Sequence, residues 1–387
     1  MPHAGAMSEP ASLPRPITLV LVGGGHAHAV ALAEALAARA GLDIVLVAPD
    51  RFAPYSGMIP GVIAGRYAVA DAHVDLERLC GARGARLVRG RAVGLDRSGR
   101  SLLLEDGRRI GFDLLSINVG ITPDVVAIAG ASHATTIKPI DGLIERIARL
   151  KAQGEGQHVA VVGGGAGGVE VAFAIRNGLA GCRVTLVMRD GLLPDHGRLA
   201  RWLVRRALRR QDIAMLDRFA VERIQPGRLI AADGRQLDAD ALLLNTGAAA
   251  PAWFGSTGLS RDAAGFLAVG PTLQVVGEQG IFAAGDCATM VETPRPRAGV
   301  YAVRQGPVLA HNLLQAASAL GQGRSARLTP YRPQDRALAI LSTGDGRAVA
   351  SWGPFAASGR WVWRWKDRID RRFMDALAAA GQPRSKP

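Results

Sequence analysis

Two stretches of this chain follow one plan, and the repetition limits the folds open to it. Residues 17–25, ITLVLVGGG, form a buried-strand run that ends in glycines; a helical stretch, AVALAEALAARA, and a second apolar run, DIVLVAP, follow. The plan recurs at 158–188, where HVAVVGGGAGGVEVAFAIRNGL leads into CRVTLVM. Strand, glycine turn, helix, strand is the unit that sets a pyrophosphate on a helix N-terminus, because the first amides of the helix have no partner there and its dipole favours an anion. A lone glycine fingerprint is weak evidence, whereas two in one chain, each between a strand and a helix, are strong.

The segments between and after these units repeat as well. Residues 86–123 read as hairpin strands, RLVRGRAVGLD, SLLLEDGRRI and FDLLSINVGITP, and RLIAADGRQLDADALLLNTGAAAP repeats that pattern after the second unit. Each ends in a strand, a glycine turn and a proline, at Gly120–Pro123 and Gly247–Pro251, as crossover links between two domains would. IFAAGDCATM, from 281, is one more strand and ends at Gly285–Asp286; a helix follows from about Gly299 to Leu313, and a C-terminal region from 331.

The 387 residues suffice for two domains. No apolar run reaches the roughly 18 residues of a spanning helix. The first sixteen residues lack the basic start and apolar stretch of a signal peptide, so they read as a disordered lead-in, with Met7 as an alternative start and the cytoplasm as the expected location. Cys80, Cys182 and Cys287 have no CxxC spacing, which argues against a disulfide framework or a structural zinc; no metal site is expected. The formal charge of +14 favours anionic partners. Nucleic acid is not expected among them, because no recognition fold is visible and the excess charge lies in two helical segments.

In order, Gly23-Gly24-Gly25, Gly120, Gly163-Gly164-Gly165-Ala166-Gly167-Gly168, Gly247 and Ala284-Gly285-Asp286 resemble the pyridine nucleotide–disulfide oxidoreductase superfamily, the flavoproteins with two dinucleotide-binding domains. The resemblance covers about 17–375. VGGGHAHAVAL, PYSGMIPGVIAG, HVDLERL, DLLSINVG, AVRQGPVLAHNL, LSTGDGRAVASWGPF and GRWVWRWKDRIDRRFM are similar to the flavoprotein module fused in front of some selenide, water dikinases. A wider kinship extends to type II NADH:quinone and sulfide:quinone oxidoreductases. The implied fold is α/β, with two Rossmann-like domains of glutathione-reductase type. A lead at 1–16 precedes an FAD-binding domain in two parts, 17–136 and 256–330. An NAD(P)-binding domain at 137–255 is inserted between them, and 331–387 form a C-terminal hairpin and a basic aromatic helix.

The resemblance also implies roles. FAD pyrophosphate would lie on the first turn, where Gly23 permits the bend and Gly25 lets the backbone approach. His28 stands in place of the third glycine; it either displaces the helix, donates to phosphate, or packs at the helix start. Asp50 comes about two positions late for an adenosine ribose contact. Gly120 and Gly247 close the crossover strands. Asp286, beside Gly285, would hold the ribityl chain, the Pro54–Pro60 loop would lie along the isoalloxazine, and the helix from Gly299 would face the pyrimidine ring. The second turn, Gly163, Gly165 and Gly168, would take NAD(P)H, with Glu170 near the nicotinamide. The following strand ends without an acid and meets Arg189, which tilts the coenzyme toward NADPH, while Asp190 keeps NADH open. The arginines of RLARWLVRRALRR, 198–210, are either a solvated outer face or added attraction for NADPH phosphates.

Without a close cysteine pair, electrons should pass from nicotinamide to flavin and on directly to a small-molecule acceptor, quinone-like or a sulfur or selenium species. Where type II enzymes present two glutamines, Val300 and Arg304 stand here; Tyr301, Arg304 and Gln305 are the expected lining of the acceptor pocket. The alternative is a flavin-bearing redox partner or sensor serving a selenium-handling protein. Trp361, Trp365, Ile369, Phe373 and Leu377 fall every four residues among many arginines. Residues 360–377 therefore suit either an anionic membrane surface, on the inner face of the cell membrane, or docking on the protein itself or on a homodimer mate.

Overall fold

The computed structural model describes residues 15–38 and 41–382. Most of the expected lead-in, up to residue 14, lies outside the described residues. Two five-stranded parallel sheets carry the fold. The first contains β1 (Ile17–Val22), β2 (Leu42–Ala48), β3 (Arg86–Arg89), β4 (Leu114–Ile117) and β10 (Ile281–Ala283), in the order β10-β4-β1-β2-β3. The second contains β5 (Thr135–Thr136), β6 (His158–Val162), β7 (Arg183–Val187), β8 (Ile213–Leu216) and β9 (Ala241–Leu244), in the order β5-β9-β6-β7-β8. The two orders are the same, with β10 holding in the first sheet the place β5 holds in the second. All eight pairings are parallel, which is why the strands read as unbroken apolar runs rather than as alternating patterns.

The region 86–123 departs from the hairpins read in the sequence. Gly90 divides RLVRGRAVGLD: its first half is β3, parallel to β2, and only 92–96, 101–104 and 109–111 form an antiparallel sheet. The final run, as β4, joins β1 in parallel. Apolar runs of this length suit a buried parallel strand as well as a hairpin arm, so length and turns could not separate them. The two crossover links do meet: Thr122–Pro123 pairs antiparallel with Ala248–Ala249.

Each first strand feeds a helix, α1 (His26–Glu34) after β1 and α2 (Ala166–Gly178) after β6. Both are covered on more than one side, which explains their apolar composition all round. The helix α4 (Gly299–Gly321) packs on α1 closely enough that a Cβ at Gly306 would collide with Val30. Between them α3 (Arg198–Arg210) flanks the second sheet. The C-terminal region is a three-stranded antiparallel sheet, β11 (Ala339–Ser342), β12 (Ala348–Trp352) and β13 (Phe355–Gly359), followed by α5 (Arg360–Ala380).

The stripe expected along α5 divides in two. Trp361, Trp365 and Ile369 are exposed, whereas Phe373 lies on Tyr55 at 4.9 Å between centroids and Leu377 is buried. A four-residue spacing outruns the 3.6-residue turn, so the stripe winds from solvent into the protein. Val362, Asp370 and Met374 mark the docked face.

Candidate functional site

The carboxyl ends of β1 and β6 carry the two glycine turns, and their first glycines are held in the same way. Gly23 (φ +94°) and Gly163 (φ +132°) occupy backbone conformations that side-chain-bearing residues rarely adopt. Their amides donate to Val47 O and Val187 O at 2.7 and 2.8 Å, tying each turn to the second strand of its unit. A Cβ at Gly23 would collide with the Asn118 carbonyl, and one at Gly163 with that of Asn245. Neither helix carries a side-chain cap from its N-cap residue, Gly25 or Gly165, and neither has an acid in its first turn. Among the described residues, no protein group accepts from the amides of Gly24, Gly25, Gly164 or Gly165. Around Gly120 and Gly165 a Cβ would find open space. Unpartnered amides at two helix N-termini, with room in front of them, fit the pyrophosphates of two dinucleotides.

The two asparagines were not singled out in the sequence, although INVG and LNTG, each directly after a buried strand, were the available signal. Asn118 follows β4; its Oδ1 accepts from the Ala27 and His28 amides at 3.2 and 3.4 Å, and its Nδ2 donates to Ala284 O at 2.6 Å. One side chain thus joins the first turn of α1 to the segment that presents Gly285 and Asp286. Asn245 lies against Gly167 and Gly168 in the second unit.

His28 does not face a phosphate. It is fully buried, with Nδ1 bonded to Gly23 O at 2.7 Å and Nε2 to Ser116 Oγ at 2.8 Å. Burial pulls its pKa down to about 4, opposed by the Gly23 carbonyl, so the ring is neutral. In the second unit a Cβ at Gly168 would collide with the Gly163 carbonyl. The first unit opens that contact and fills it with an imidazole. Asp50, two residues past β2, is exposed.

Asp286 sits beside Lys138 at 3.5 Å, close to His26 at the start of α1. Burial, helped by the Lys138 ammonium and opposed by Asp286, pulls the His26 pKa down to about 4. Gly299, the first residue of α4, faces the same ring, so two helix N-termini converge here. Gln305 is turned inward: its Oε1 accepts from the Gly285 amide at 2.7 Å, which makes it a support for the Gly285–Asp286 turn. Tyr301 and Gln305 line one cavity with Asp286, Arg295, Arg297 and Tyr331, whose buried hydroxyl has no protein partner; Arg304 is exposed and does not line it.

Glu170, one turn into α2, reaches the C-terminal sheet, where its Oε1 accepts from Ser342 N at 2.8 Å. Burial pushes its carboxyl up against the pull of the Lys366 ammonium. Lys366 donates to Gly57 O and Asp370 Oδ2, both at 2.7 Å, and Tyr55 donates to Asp370 Oδ1 at 3.1 Å. The Pro54–Pro60 loop, α2 and α5 therefore meet in one polar cluster. Arg189 is exposed and paired with Asp190 at 2.8 Å. Gly247 follows Asn245 beside Asp124 in the crossover pair. Cys80, Cys182 and Cys287 are free and buried; burial pushes the thiols of Cys80 and Cys287 up to about 12. Among the described residues no group of His, Cys, Asp and Glu could hold a metal, and no helix is long and apolar enough to cross a membrane.

Comparison with known proteins gives a consistent result. The model of the family described as "Pyridine nucleotide-disulphide oxidoreductase" matches residues 17–311. The ferredoxin–NAD(+) reductase component of the p-cumate 2,3-dioxygenase system of Pseudomonas putida is 29% identical over 367 residues, covering 90% of this chain and 78% of its own. A probable ferredoxin reductase, CtmF of Castellaniella defragrans, is 31% identical over 183 residues, 45% of this chain; the match spans 43% of that protein's length. Among solved structures, the sulfide:quinone oxidoreductase of Aquifex aeolicus superposes with a TM-score of 0.76 at 16% identity, over 94% of this chain and 92% of its own.

Proposed function

Since the chain belongs to the pyridine nucleotide–disulphide oxidoreductase family and is an FAD-dependent NAD(P)H oxidoreductase, we propose that it passes electrons from NAD(P)H through FAD to a small acceptor without a redox disulfide. The carrying observation is the pair of matching glycine turns with unpartnered amides, one of them beside Asp286. Flavin bound at the first turn supplies the two-electron carrier between donor and acceptor. Residues 17–134 and 256–330 would form its domain and 135–255 that of the coenzyme, the boundary expected at 136 moving because β5 (Thr135–Thr136) belongs to the second sheet. Gly23, Gly25, Gly120, Gly285 and Asp286 would serve FAD, and Gly163, Gly165, Gly168 and Gly247 NAD(P)H.

Asp286 would hold the ribityl chain of FAD, and the N-terminus of α4 would favour negative charge on the flavin. Glu170, whose carboxyl burial pushes up against the pull of Lys366, stands near the coenzyme side of the Pro54–Pro60 loop. Tyr301, Arg295 and the unpartnered Tyr331 hydroxyl offer donors to an acceptor that is quinone-like or a sulfur or selenium species. NADPH is the preferred coenzyme, because β7 ends without an acid.

A second reading, delivery of electrons to a protein carrier, is favoured by the charge of +14 and by the likeness to ferredoxin reductases. An acceptor screen on the flavin-loaded protein separates the two. Ubiquinone and menaquinone analogues, polysulfide and selenite-derived species are compared with an acidic iron–sulfur protein, each with NADPH as donor. Turnover with small acceptors, independent of ionic strength, supports the first reading. Turnover only with the protein carrier, falling steeply with salt, replaces it by the second.

At the outer surface, Trp361, Trp365 and Ile369 with the arginines of α5 suit an anionic membrane surface, which would place the protein peripherally on the inner face of the cell membrane.

A further inference from the structure

Where the chain passes into the second sheet, one lysine reaches back to the first. β5 pairs with β9, and the Ile137 amide continues that ladder to Leu244 O at 2.9 Å. Pro139 is the N-cap of the next helix, Ile140–Ala152. Lys138 therefore stands between a strand end and a helix start, with its backbone held on both sides. Its ammonium lies 3.5 Å from Asp286 Oδ2, on the turn that follows β10 of the first sheet. Asp141, in the first turn of the same helix, lies 3.7 Å from His73 Nε2, so this segment is tied to the first half of the molecule at two points.

The charges around Asp286 leave a distinct task for Lys138. His26, beside the pair, is kept neutral by burial, and so does nothing to offset the carboxylate. Arg297 donates from Nε to the Asp286 carbonyl at 3.2 Å, but it lies over the Phe266 ring and has Asp262 at 3.7 Å to balance it. Lys138 is the cation that faces the Asp286 carboxylate itself, and both side chains are partly buried, where screening by water is reduced. Gly299, across the His26 ring, begins α4 with no acid in its first turn, so that helix end adds positive potential at the same place.

We propose that Lys138 is an electrostatic tuning residue of the flavin, supplied by the coenzyme domain, which cancels the field of Asp286 at the ring and raises the midpoint potential. This rests on the reading of the first glycine turn and Asp286 as the FAD site. A flavin that takes up a hydride equivalent, two electrons and one proton, gains one negative charge. An unpaired carboxylate beside it opposes that charge, and a fixed ammonium favours it. One unit charge a few ångströms away at a partly buried site shifts such an equilibrium by about tenfold or more.

The test is anaerobic equilibration of the flavin-loaded protein with a reference dye of known potential, reading the ratio of reduced to oxidised flavin at equal dye reduction. Lys138→Gln should lower that ratio at least about tenfold relative to wild type. Lys138→Met, which keeps the stem and removes the charge, should lower it equally, whereas Lys138→Arg should stay within about threefold of wild type. Equal ratios in the wild type and both neutral variants overturn the proposal but spare the FAD site. A drop of the same size in Lys138→Arg assigns the effect to packing and overturns it too. So does a lower unfolding midpoint of the neutral variants with an unchanged ratio, which makes Lys138 a tether between the two sheets. Failure of the wild type to bind FAD overturns this inference together with the reading beneath it.

Discussion

His28 and Asn118 do in the first unit what a glycine does in the second. Backbone touches backbone at Gly168, whereas His28 spans the gap with a neutral ring whose two nitrogens are both engaged. Asn118→Leu would strand the Ala27 amide and remove one donor from the Ala284 carbonyl, at a cost of about 1–3 kcal/mol. Denaturant unfolding should show that loss, together with a smaller fraction of flavin retained on purification. His26 gives a pH signature. Its ordinary pKa of 6.5 falls to about 4 in the fold, so below pH 6.5 the unfolded chain takes up a proton that the native state refuses. Relative to His26→Gln, the wild type should therefore lose about 1.4 kcal/mol per pH unit as pH falls from 6.5 towards 4. The comparison cancels the buried carboxyls of Glu170 and Asp370, whose raised pKa values act in the opposite direction. Parallel stability profiles for the two proteins would contradict the assignment. At the flavin, Asp286→Ala should weaken FAD retention by about tenfold or more, read from the bound-flavin absorbance per protein.

Among the elements, the glycine turns were legible in the sequence because their geometry admits almost no other residue. The fate of α5 was not. Its aromatic residues, spaced four apart, gave the same pattern for a helix on a bilayer and a helix on its own protein, and in the structure one part of the stripe docks on the protein while the other is exposed. Phe373 packs on Tyr55, and Lys366 and Asp370 bind the Pro54–Pro60 loop, while Trp361 and Trp365 stay outside. Deleting the whole helix would confuse loss of a surface with loss of a core. Trp361→Ser with Trp365→Ser leaves the docked face intact. It should keep the unfolding midpoint within the small range of surface changes and sharply reduce sedimentation with vesicles rich in anionic lipid. Undiminished vesicle binding in this variant would remove the membrane assignment.

For the whole molecule, the order of the glycine motifs pointed to two nucleotide-binding sheets with one interrupting the other, and both sheets share one strand order. The topology of 86–123 was harder to read, since an apolar run beside glycines suits a parallel strand or a hairpin until its neighbours are known. Which side chains line the cavity was only partly legible: Tyr301 and Gln305 do, Arg304 is exposed outside it, and only the packed helix shows Gln305 also bonded to Gly285. With Cys80, Cys182 and Cys287 free and buried, the proposed route leaves the flavin as its two-electron store. Anaerobic titration of the flavin-loaded protein with NADPH, followed at the flavin absorbance, tests that count most directly. One molecule of coenzyme per flavin should complete the bleaching within seconds. Failure of both NADPH and NADH to bleach the flavin, or a requirement for two molecules per flavin, would contradict a direct route from coenzyme through flavin to acceptor.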